Sequence, residues 1–174
     1  MSVANVLRVV RQMEVDGIIA RWAVGGAVGA TFYLEPVSTL DVDIFVALQP
    51  EPGSLLLSLQ PIVDYLTARG SVIEDEYIMI ADWPVQFLPP TSPLVEEALA
   101  EAVTLDVEGV PARVFTAEHL AAIALQTGRA KDKTRVVQFV EFNVMDMARF
   151  QAILTRHALL DRWNAFQRTF LEDA

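Results

Sequence analysis

The sequence predicts an α/β protein of the α+β kind: a mixed sheet flanked by helices, with a helical C-terminal segment. Three observations predict it. Short apolar runs between residues 18 and 115 read as strands, separated by Gly, Pro and Asp clusters. The runs at 71–74, 77–81 and 85–88 follow one another too closely for crossover helices, which argues for antiparallel pairing and against a doubly wound parallel sheet. From residue 116 onward the apolar residues recur at helical spacing. The chain divides accordingly into an α/β core over 1–115 and a helical region over 116–174 packed on it.

The elements follow in order. Val6, Leu7, Val9, Val10 and Met13 make a helical stripe over 5–15, which Asp16-Gly17 stops. Residues 18–24 form a short apolar strand that Gly25-Gly26 breaks, and 27–33 suit a small-residue helix lying close to a sheet. Glu35 to Thr39 turns the chain, because Pro36 disfavours helix before it. Residues 41–48 form a strand whose Ile44-Phe45-Val46 interior is apolar on both faces, which places it centrally. After a Pro/Gly loop at 49–53, Ser54 caps a helix over 55–69 that Gly70 ends. Three strands follow, with Asp82-Trp83-Pro84 as a hairpin corner. A short helix then starts near Pro93. Residues 103–107 and 110–115 flank Glu108-Gly109 as a hairpin. Thr116 caps a helix to about Thr127, Gly128 breaks it, and helices over 131–142, 145–157 and 158–170 complete the chain.

Composition narrows the function classes. The 174 residues carry no cysteine, so thiolate catalysis, disulfides and cysteine-ligated zinc are excluded. The N-terminal residues lack the plan of a signal peptide and no apolar run approaches a bilayer span, so the expectation is a cytoplasmic protein with no membrane partner. The net charge of −10 argues against broad nucleic-acid binding, so an RNA acceptor is not favoured by charge. The cations are concentrated: the only two lysines, Lys131 and Lys133, stand between Arg129 and Arg135.

The chemistry-bearing residues lie at 22–48. Side chains alternate along a strand, so Asp41 and Asp43 share one face and Val42 and Ile44 the other. Adjacent carboxylates repel unless a cation sits between them, and hard oxygen ligands suit Mg²⁺. Gly25-Gly26 offers backbone N–H groups at a helix start, which suits a phosphate.

The strand, the Gly25-Gly26 turn, the helix and the Asp41-Val42-Asp43 strand fourteen residues after Ala27 together resemble the nucleotidyltransferase superfamily, the fold of DNA polymerase beta. More narrowly they look like its small bacterial branch of abortive-infection toxin nucleotidyltransferases. The segment Thr127-Gly128-Arg129-Ala130-Lys131-Asp132 is similar to the family's basic segment, and the resemblance spans about residues 5–142. It implies Mg²⁺-dependent transfer of a nucleoside monophosphate from a nucleoside triphosphate, with loss of pyrophosphate, onto an RNA end, a protein or a small hydroxylated molecule. Asp41 and Asp43 would hold the metal. Gly25, Gly26, Thr39, Arg129, Lys131 and Asp132 would bind nucleotide, with Lys131 also catalytic. Asp132 would either orient the basic segment or touch the nucleotide. The toxin branch implies an antitoxin; a homodimer partner is the other expectation, since the last helices, rich in Phe, Leu and Trp, are either core or a dimer surface. The family's third acid falls at Gln86, a third metal position that is neutral and a poor base. The arginine such families carry before Thr39 is absent, since Val37 and Ser38 stand there. Both departures favour a second expectation, a degenerate module that binds nucleotide or a protein. The two histidines read as peripheral, His119 on the surface and His157 at a helix end.

Overall fold

The computed structural model describes residues 2–35, 41–48 and 58–171. Helix α1 (Val3–Val15) is capped by the Ser2 hydroxyl, which accepts from Ala4 N–H. The strand after it, β1 (Arg21–Val24), is shorter than the apolar run, and helix α2 (Gly26–Ala30) is a single turn shorter than the small-residue stretch. Strand β2 (Val42–Ala47), helix α3 (Gln60–Thr67), strands β3 (Val72–Glu74), β4 (Tyr77–Ile80) and β5 (Trp83–Leu88), and helix α4 (Pro93–Ala100) follow. Strands β6 (Val103–Val107) and β7 (Val110–Val114) form the expected hairpin. Helices α5 (Ala117–Thr127), α6 (Ala130–Glu141), α7 (Met147–Arg156) and α8 (Leu160–Phe170) close the chain. The Ser54 cap and the 49–53 loop lie outside the described residues.

The strands form one mixed sheet in the order β3-β4-β5-β2-β1-β7-β6. Strand β2 is central, as its two apolar faces require: Val42, Ile44 and Val46 enter one core cluster, whereas Phe45 and Ala47 pack against another. The first cluster joins them to Leu7 and Val10 of α1 and to Ile62 and Leu66 of α3. The second collects Ala23, Ala30 and Phe115 with apolar residues of α4, α5, α6, α7 and α8. The sheet is therefore covered on both faces, by α1 and α3 on one and by the later helices on the other.

Two parallel joins, β2 with β5 and β1 with β7, sit among antiparallel ones. They bring the start of β2, the start of β5 and the ends of β1 and β7 to the same edge of the sheet. The hairpin between β4 and β5 turns at Ala81-Asp82, one step before the expected Asp82-Trp83-Pro84 corner. Both turn residues have positive φ (50° and 65°), and the tight two-residue turn admits Trp83 and Pro84 to β5 opposite Ile80 and Met79. Among the described residues no helix is long and apolar enough to cross a membrane.

Candidate active site

The turn between β1 and α2 is built by exclusion. Gly25 N–H donates to the Asp43 carbonyl at 3.0 Å, which locks the turn onto β2. A Cβ on Gly25 would strike the Phe45 ring, with Cδ2 at 2.7 Å. Gly26 has φ +56°, and a Cβ there would fall on the Asp43 carboxylate, with Cγ at 2.8 Å. The two glycines are therefore the floor on which Asp43 rests. Of the two N–H groups expected to face a phosphate, that of Gly25 is engaged within the fold and taken up by Asp43 instead.

A cleft of about 1000 Å³ opens over this turn. Asp43 lines it from β2, Asp41 from the residue just before that strand, and Gln86 from β5, where the parallel register sets Gln86 directly beside Asp43. Arg129, Lys131 and Arg135 line it from the start of α6. Residues separated by almost ninety positions in the chain thus meet at one opening. The remaining rim comes from Glu35 and from Glu74, Asp75 and Glu76, which link β3 to β4. Of Glu76 and Asp82, the two nearby acids the sequence offers as substitutes for the missing third carboxylate, Glu76 lines the cleft and Asp82 does not. Thr39 lies outside the described residues.

The electrostatics fit a cation-binding pair. Burial pushes the Asp43 carboxyl above its usual range, and the nearby Asp41 charge pushes it further. Lys131, Arg129 and Arg135 oppose both effects. Asp43 therefore feels the cationic segment across the cleft. The Tyr77 hydroxyl donates to Asp41, and the Tyr77 phenol is itself raised, first by burial and then by the Asp41 charge. Two hard carboxylates with a neutral amide carbonyl beside them form a donor set that suits Mg²⁺.

Asp132 does not line the cleft. It lies behind it, 1% exposed, and both its oxygens are taken: Arg129 Nε donates at 2.6 Å, Arg129 Nη2 at 3.3 Å, and Arg135 Nη1 stands at 3.6 Å. Of the two roles open to Asp132, this geometry matches orientation of the basic segment.

A second polar cluster lies outside the cleft, and here the surface reading of His119 is corrected: the ring is 0% exposed. It occupies the third position of α5, where Thr116 caps the helix and its hydroxyl meets His119 Nδ1 at 2.8 Å, so the ring turns inward. His119 Nε2 reaches Glu97 at 3.2 Å, and His157 Nε2 and Arg156 join the same carboxylate at 2.8 and 2.6 Å. The ligand atoms of Glu97, Glu101 and His119 lie within 4.8 Å of one another, close enough to share an ion. Arg156 and Arg149 already neutralise the two carboxylates, however, so the cluster is complete as an ion-pair network joining α4, α5 and α7. Sequence reasoning missed it, as it missed Tyr77 and, in the acidic rim, Glu35, Glu74 and Asp75.

No family model matches the sequence, and no curated protein matches it. Solved structures do. An antigenic nucleotidyltransferase-like protein from Paracoccidioides brasiliensis superposes with a TM-score of 0.60 at 14% identity, over 82% of this chain and 77% of that one. The antibiotic-resistance factor ANT(2'')-Ia in solution matches with a TM-score of 0.53 at 13% identity, over 96% of this chain and 95% of that one. The crystal structure of ANT(2'')-Ia with adenylyl-2''-tobramycin gives 0.51 at 13% identity, over 90% and 98%. The mixed sheet and the helices around it are the nucleotidyltransferase fold, and that is the fold of this chain.

Proposed function

We propose that this chain is a Mg²⁺-dependent nucleotidyltransferase that moves a nucleoside monophosphate from a nucleoside triphosphate onto a hydroxyl of a small, positively charged acceptor. The observation that carries this reading is the shared cleft, in which Asp41, Asp43 and Gln86 face Gly26, Arg129, Lys131 and Arg135. Nucleotidyl transfer asks a protein chiefly for positioning and charge neutralisation. Asp41 and Asp43, with the Gln86 carbonyl beside them, would hold a metal ion, which would neutralise charge building on the α-phosphate. Gly26 N–H and the α6 cations bind and orient the triphosphate. The acceptor hydroxyl oxygen bonds to the α-phosphorus as the bond from that phosphorus to the pyrophosphate oxygen breaks, and the hydroxyl proton is released to solvent.

The acceptor class rests on charge balance. The cleft presents six carboxylates against three cations. A triphosphate with one bound Mg²⁺ is still an anion and adds to this acidic balance, so the rim at Glu35, Glu74, Asp75 and Glu76 favours a cation. The ANT(2'')-Ia complex, which holds adenylyl-2''-tobramycin, supports the same class. The test is pyrophosphate release from each of the four common triphosphates with Mg²⁺ and a panel of amine-bearing and neutral polyols. Release with amine-bearing acceptors, abolished by Asp43→Ala, is the expected result. No triphosphate binding and no release with any pair overturns the proposal.

Gln86 in the third-acid position favours a second reading, a degenerate site that retains nucleotide for a partner. It predicts tight triphosphate binding with no release across the whole panel. The toxin form of the first reading adds an antitoxin partner. It requires that expression arrest growth and that Asp43→Ala relieve the arrest; harmless expression removes it.

A further inference from the structure

We propose that Asp132 is a buried positioning residue that pre-orients the Arg129 and Arg135 guanidiniums as a rigid cationic wall for the triphosphate. The inference rests on the reading of the cleft given above. Arg129 is 61% exposed along its side chain and stands at the N-cap of α6, where an unrestrained arginine would sample many rotamers. Asp132, at the third position of the same helix, takes its Nε–H and one Nη2–H side-on. A guanidinium held that way keeps the end-on edge of its fork, one N–H from each Nη, for a phosphate. The same carboxylate stands 3.6 Å from Arg135, whose side chain is mostly buried. One buried anion therefore fixes two cations that both line the cleft, while the anion itself stays out of it.

The charge arrangement agrees. Arg129 and Arg135 line the same cleft as Asp41 and Asp43, so the clamp holds them where the metal pair and the phosphates meet. The helix backbone places the clamp as well: Asp132 N–H and Lys133 N–H both donate to the Arg129 carbonyl at 3.0 Å. This first turn also leaves Lys131 directed at the cleft rather than at Asp132.

An acidic residue in the first turn of a helix is also a structural device, favourable to the helix dipole. The test separates the two roles by comparing ligands of the same protein. Binding of Mg²⁺–triphosphate and of the corresponding nucleoside monophosphate is measured by calorimetry for wild type, Asp132→Asn and Asp132→Glu, with circular dichroism on each. Positioning predicts a loss of about tenfold or more for the triphosphate and little change for the monophosphate, since only the outer phosphates meet the wall. Asp132→Glu keeps the buried charge, and so the fold, but displaces the clamp by one methylene, and gives the same selective loss if Asp132→Asn proves unstable. Equal affinity ratios in wild type and a folded variant overturn the inference and leave the reading of the cleft intact. A wild-type protein that binds no triphosphate removes both.

Discussion

The Asp43 carboxylate lies where a Cβ on Gly26 would be, so the residue at 26 sets the position of the inner metal-binding acid. Gly26→Ala must move Asp43 or shift the turn, and it also forces a side chain onto φ +56°. The expected cost is about 1–3 kcal/mol of stability. Mg²⁺-dependent nucleotide binding should weaken by about tenfold or more, as expected when a metal ligand loses its support. Thermal melts with and without Mg²⁺–triphosphate check both parts.

Asp43→Asn should separate stability from function. The Asp43 carboxyl is raised by burial and by Asp41, so its charged form is disfavoured in the fold. A raised carboxyl contributes stability below its unfolded value of 3.8 that is lost as pH rises through the folded value. At neutral pH without metal the uncharged amide should therefore leave the melting temperature unchanged or higher. It should also abolish transfer and the Mg²⁺-dependent rise in melting temperature. A variant that melts lower than wild type in chelator contradicts this.

Stability should fall in acid through the Glu97 network. Burial lowers His119 below its usual 6.5, with Glu97 acting in the opposite direction. A depressed histidine takes up its proton first in the unfolded chain. Its contribution is therefore complete above 6.5 and is lost as pH falls below that value. Hydrogen bonding from Arg156, and then from His157 and His119, holds Glu97 down to about 2, so its contribution is lost between its ordinary 4.5 and that value. Urea unfolding at pH 7.5, 5 and 3 should show two successive losses. His119→Gln should flatten the first and leave the second.

Gln86→Asp should raise turnover. Gln86 stands beside Asp43 across the parallel β2–β5 pair, so a carboxylate there joins the donor set. A positioned base is worth about a hundredfold, and a gain of tenfold or more in pyrophosphate release is expected. An unchanged rate shows that the third carboxylate is dispensable in this cleft.

Much of the fold was legible in the sequence because it is local. Pro93, Thr116 and Gly128 act where their chemistry places them, as a first-turn proline, an N-cap and a left-handed C-cap. Period-two alternation put Asp41 and Asp43 on one face, and the run Ile44-Phe45-Val46, apolar on both faces, assigned β2 to the centre. The short helix α2 was overextended because a run of small residues fits both helix and turn. The strand start at Arg21 and the turn at Ala81-Asp82 depend on pairing partners, which periodicity does not contain.

The site divides along the same line. By itself the sequence determined the paired acids, the double-glycine turn and the concentration of cations at 129–135, since each is a property of neighbouring residues. Only the tertiary structure decided that Gln86 abuts Asp43, that Tyr77 holds Asp41, and that Glu74, Asp75 and Glu76 rim the cleft. It also took Asp132 out of the cleft and His119 off the surface. These placements come from strand register and from helices packing across long sequence separations. A side chain's burial and charge partners are set there, by elements the local sequence does not contain.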